Sequence, residues 1–116
     1  KGVWDVDVFG NRAISAQREG TAVLWNLATG AKIQMLKGHM DWVTFARFSP
    51  NGKLVATSST DQTVRVWDTF RFTTIAKLEN QTSIGSPLCF TADGKFLITV
   101  ANDNSMQVHS ISNKGK

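Results

Sequence analysis

Few residues in this 116-residue chain have the types needed for catalysis or metal binding. His39, Asp61 and a nearby serine, Ser58 or Ser59, are the types of a hydrolase triad. In such a triad the histidine takes the serine proton and the carboxylate orients the ring. A triad also needs an exposed nucleophile and an oxyanion hole, usually on a sharp strand-to-helix elbow, and no G-x-S-x-G is present. His39, Cys89 and His109 are metal-ligating types, but their spacings match no zinc pattern. The glycines never cluster as a phosphate-cradling loop. The chain therefore reads as non-enzymatic, with no cofactor and no metal. Cys89, the lone cysteine, stands in Pro87-Leu88-Cys89-Phe90 and is expected as a small core residue.

Composition narrows the class further. Hydrophobic residues make up 41% and charged residues 19%, as in a globular domain. The apolar runs fall far short of the about 20 residues a membrane helix needs. No charged-then-apolar leader follows Lys1, so the expectation is an intracellular protein, cytoplasmic or nuclear. A first residue other than Met also points to a segment of something longer. The net charge of +4 comes from basic residues scattered between Lys1 and Lys116, with Lys114 and Lys116 at the end. That pattern reads as solubility, with nucleic-acid binding the lesser alternative.

What must position these side chains is a repeat. Gly10, Gly52 and Gly94 stand 42 residues apart, and so do Trp25, Trp67 and His109. The same step relates Ser15, Thr57 and Thr99, and Glu19, Asp61 and Asp103. It also relates Ile33 to Ile75, Leu36 to Leu78, and Phe48 to Phe90. Within each unit, short apolar and β-branched runs such as Leu54-Val55-Ala56-Thr57 are bounded by turn residues such as Asn51-Gly52 and Asp93-Gly94. No window shows a helical stripe. The reading is all-β, with about eleven short antiparallel strands. Four-stranded units of this length fall in the range of propeller blades.

The second unit resembles the WD repeat. Gly38-His39 opens it, Phe48-Ser49-Pro50-Asn51-Gly52 follows, and Thr60-Asp61-Gln62-Thr63-Val64-Arg65-Val66-Trp67-Asp68 closes it. The resemblance implies consecutive four-stranded blades of a WD-repeat β-propeller. The expected boundaries are 1–36 for a first blade without its opening residues, 37–78 for a complete one, and 79–116 for a degenerate third. It also implies a buried hydrogen-bond chain of His39, Thr57, Asp61 and Trp67. The first unit departs with Trp25-Asn26, and the third with Asn80-Gln81 and His109. Propellers close with about four to eight blades, and this chain holds fewer than three, so it forms an incomplete ring. The rest is expected from a longer parent chain or from further copies.

The resemblance further implies a scaffold that presents loops to other proteins. Trp42 would lie on the docking face with Arg18, Lys37, Met40 and Asp41, or else pack against a neighbouring loop. Phe70-Arg71-Phe72 replaces small turn residues on the opposite face, either as a second patch or folded back onto the blade. The alternatives are a recruitment or sensor module of a larger catalytic or signalling protein, and an RNA or ribosome-assembly binder.

Overall fold

The computed structural model describes residues 2–111; Lys1 and the basic terminus with Lys114 and Lys116 lie outside them. Among the described residues there are eleven strands and no helix. Strands β1 (Val3–Phe9), β2 (Arg12–Gln17), β3 (Thr21–Asn26) and β4 (Lys32–Lys37) form one sheet in chain order. Strands β5 (Val43–Phe48), β6 (Leu54–Ser59), β7 (Val64–Asp68) and β8 (Thr74–Leu78) form the second. The third holds β9 (Cys89–Phe90), β10 (Phe96–Val100) and β11 (Met106–Ser110). Every pairing is antiparallel.

Side chains alternate across a strand, so each sheet has two faces to bury. Ile14, Ala16, Ala22, Leu24 and Leu36 of the first sheet pack against Val43, Ala46, Phe48, Val55 and Trp67 of the second. The other face of the second sheet, with Leu54, Ala56, Val64 and Val66, packs against Leu88 and Leu97. The middle sheet is thus covered on both sides, which explains why all six residues of β6 are buried.

The first junction also has a polar seam. β5 is an edge strand, and its outward N–H groups have no strand to pair with. Two carboxylates on alternate residues of β1 take their place. Asp5 accepts from the Ala46 N–H at 3.1 Å, and Asp7 accepts from the Phe48 N–H at 2.8 Å. Asp5 also pairs with the Arg47 guanidinium. At the loop end, Gly20 holds a φ of 89°, and a Cβ there would stand 2.8 Å from the His39 carbonyl oxygen. Only glycine lets the β2–β3 turn pass so close beneath the next unit's opening loop.

The outer sheets each keep one open face. Val6, Val8 and Met35 are exposed on the first, and Met106 and Val108 on the third. Cys89 belongs to this second group, against expectation: it is exposed. It pairs with Ile98, whose side chain points opposite to the buried Leu97 and Thr99 that face the second sheet.

Candidate functional site

The sequence places His39 in the loop before β5, Thr57 on β6, Asp61 in the β6–β7 turn and Trp67 on β7. The fold brings all four together. The Trp67 indole N–H donates to the Thr57 hydroxyl at 2.9 Å, and that hydroxyl lies 2.8 Å from His39 Nε2. With the indole as donor, the Thr57 proton goes to Nε2, and Nδ1 carries the ring hydrogen. Nδ1 lies 3.2 Å from Asp61 Oδ2 and 3.1 Å from the Thr63 hydroxyl oxygen. Asp61 also accepts from the Met40 N–H at 2.8 Å and from the Thr63 hydroxyl at 2.6 Å. The carboxylate thereby fastens the opening loop to the β6–β7 turn.

Burial lowers the His39 pKa, more than the charge and hydrogen bond of Asp61 raise it, and Arg65 adds to the lowering. The ring is neutral at neutral pH. For Asp61, burial raises the pKa, but hydrogen bonds from Thr63 and Met40 and the His39 ring outweigh it, and the net shift is downward. Thr63 is the member that sequence reading missed. A signal was present, since Thr21, Thr63 and Ser105 follow the acidic turn residue at the same 42-residue step.

Neither serine of the supposed triad reaches the ring. Ser58 donates to the Ser86 carbonyl at 2.6 Å and Ser59 to the Asp41 carbonyl at 3.1 Å, and both are buried. Among the described residues, no group of three or more His, Cys, Asp or Glu side chains is placed to hold a metal ion.

Trp42 lies on the same end, 39% exposed, and stacks on Trp4 of β1 with ring centroids 5.5 Å apart and planes 28° apart. The Arg18 guanidinium lies 4.6 Å from the Trp42 ring centre and 6.0 Å from that of Trp4. Met40 is 89% exposed beside them, and Asp41 accepts the Trp42 N–H at 2.9 Å. Of the residues grouped with Trp42, Lys37 stands apart. It lines a separate groove between β4 and Trp67 and Phe72. Trp4, whose counterparts at the 42-residue step are Ala46 and Leu88, was not foreseen as part of this end.

Comparison with known proteins bears on these sheets. Residues 30–68 match the family model described as WD domain, G-beta repeat, a span that includes Gly38-His39 and Trp67-Asp68. The solved WD40 β-propeller domain of Doa1 superposes with a TM-score of 0.82 over 97% of this chain and 38% of that one, at 22% identity. Residues 30–68 are a WD repeat, and the chain has the fold of consecutive WD40 propeller blades. Apoptotic protease-activating factor 1 of Rattus norvegicus is 37% identical over 65 residues, which is 56% of this chain and 5% of that protein. The nuclear distribution protein PAC1-1 of Uncinocarpus reesii is 26% identical across the whole chain and 31% of its own length. The chain thus spans only a small part of these relatives.

The three 42-residue units share one rung of the network even where the motif is worn. In the first, the Trp25 indole donates to the Ser15 hydroxyl at 2.9 Å. In the third, the Thr99 hydroxyl lies 3.0 Å from His109 Nε2. A ring nitrogen ten residues after a hydroxyl recurs in each. Gln81, at the place of His39, is buried but bonds elsewhere, to the Glu79 carbonyl and Gln107.

The Phe70-Arg71-Phe72 turn divides between its two expectations. Asp68 accepts the Phe70 and Arg71 N–H groups at 2.8 and 2.9 Å, which closes the turn. Phe72 then packs back against the first core cluster. Phe70 stays 65% exposed, with the Arg12 guanidinium 4.7 Å from its ring centre.

Proposed function

We propose that this chain is a non-catalytic protein-interaction scaffold whose docking face is the end carrying Trp42. One observation carries the reading. Two tryptophans and an arginine, residue types that concentrate at binding hot spots, form one stacked, half-exposed cluster on a rigid strand framework. Arg18, Met40 and Asp41 complete the face around Trp42, and Lys37, which lines the separate groove, is left out of it.

The buried His39-Thr57-Asp61-Trp67 chain serves structure in this reading, because each polar group is satisfied within the blade. The WD repeat at residues 30–68 and the propeller fold support a scaffold role, and the names of the relatives are compatible with an intracellular setting. The exposed Phe70 is a second, weaker contact candidate on the opposite end.

The test is affinity co-purification with the full chain and with Trp42→Ala, each checked for an intact unfolding transition. Loss of co-purifying proteins from a folded variant supports the assignment. An unchanged set of partners from a folded variant overturns it.

A further inference from the structure

Beside the tryptophan pair lies a cleft of about 440 Å³, walled by Trp4, Trp42, Phe45 and Ile84 and containing Thr44, Thr60 and Ser83. The hydroxyl oxygens of Thr44 and Thr60 are both buried and have no hydrogen-bond partner. Both oxygens are enclosed, Thr44 Oγ1 close against Gly85, so what the cleft offers a ligand is its apolar walls and its charged rim. Apolar walls with a few placed polar groups are the usual make-up of such a site.

Charge narrows the ligand. Three carboxylates of this end accept N–H groups of its loops: Asp41 from Trp42, Asp61 from Met40 and Thr63, and Asp103 from Ser105. The Arg18 charge, in contrast, rests against the two indole rings that wall the cleft. The rim thus offers a cation with its guanidinium held in place, a form suited to a carboxylate.

We propose that this cleft takes an extended segment of a partner protein carrying a bulky apolar side chain and, within about two residues of it, a carboxylate. The apolar side chain fills the space between Trp42, Phe45 and Ile84. The carboxylate reaches across the tryptophan pair to Arg18. The proposal rests on the reading of the Trp42 end as a protein-docking face and specifies what that face selects.

The experiment is selection of a displayed library of random short peptides on the full chain. Enriched peptides are then rebound to the variants Trp42→Ala, Ile84→Asp and Arg18→Glu, each verified as folded. The expected consensus pairs a bulky apolar residue with Asp or Glu. Binding is expected to fall about tenfold or more in Arg18→Glu. A consensus without a carboxylate, or binding indifferent to Arg18→Glu, overturns the inference, as does a selection that enriches nothing. Peptides that are lost on Trp42→Ala or Ile84→Asp but ignore Arg18→Glu sink this inference and leave the docking face standing. Peptides indifferent to all three variants sink both.

Discussion

At the scale of single residues, the hydroxyl of Thr57 is the pivot. It accepts from one ring and donates to another inside a fully buried setting. Thr57→Val keeps the shape and leaves two ring nitrogens unpaired, so unfolding should become easier by roughly 1–3 kcal/mol for each group left bare. Thr57→Ser should restore most of the loss in the same denaturant titration. His39 adds a pH dependence. Its folded pKa lies below the ordinary value, chiefly through burial, so the native state binds its proton less readily than the unfolded chain. Stability from this group is complete above about pH 6.5 and is lost as pH falls below it. Asp61 acts in the same sense at lower pH, since its folded pKa is also depressed, and its contribution fades as pH falls toward and through that value. The unfolding midpoint should drop between neutral pH and about pH 5. His39→Asn should flatten that slope, and what remains belongs to His109, which burial also lowers. A midpoint that ignores pH in the parent chain would contradict the neutral, buried ring. These residues were legible because each sits at a repeat position with a named polar partner. Thr63 was hidden because a hydroxyl two residues past an acidic turn residue also reads as an ordinary turn.

At the scale of strands, the 42-residue step and the Asn-Gly and Asp-Gly turns made the eleven strands readable. The seam between the first two sheets was not. Asp5 and Asp7 alternate with valines, which in sequence reads as a half-exposed strand, yet both carboxylates cap the free edge of β5. Only the approach of two sheets reveals that use. Asp7→Ala should lower stability by about 1–3 kcal/mol, since the Phe48 N–H loses its acceptor. A denaturation midpoint equal to that of the parent would show that water serves as well. The wrong expectation for Cys89 has a similar cause. An apolar neighbourhood in sequence does not say which face of a strand a residue takes, and β9 turns Cys89 away from the neighbouring sheet. In the native chain its thiol should react with a maleimide nearly as fast as in the unfolded chain, whereas strong protection would mean that the open face is covered.

At the scale of the whole molecule, the three blades form an open arc with a rigid centre. The middle blade is covered on both faces, and the polar chain behind the Trp42 end holds its opening loop in place. That arrangement lets Trp42, Met40 and Arg18 stay exposed without loosening the framework beneath them. Sequence alone placed Trp42 on this end, but not the Trp4 stack or the cleft beside it, because both depend on strands from two different blades. The central claim is that this end meets other proteins. Its most direct test places a photo-crosslinking amino acid at position 40 of the full chain in cells, with position 70 on the opposite end as the comparison. Discrete protein adducts are expected from position 40, reduced when Trp42→Ala is added. Adducts from position 70 alone, or none from position 40, would contradict it.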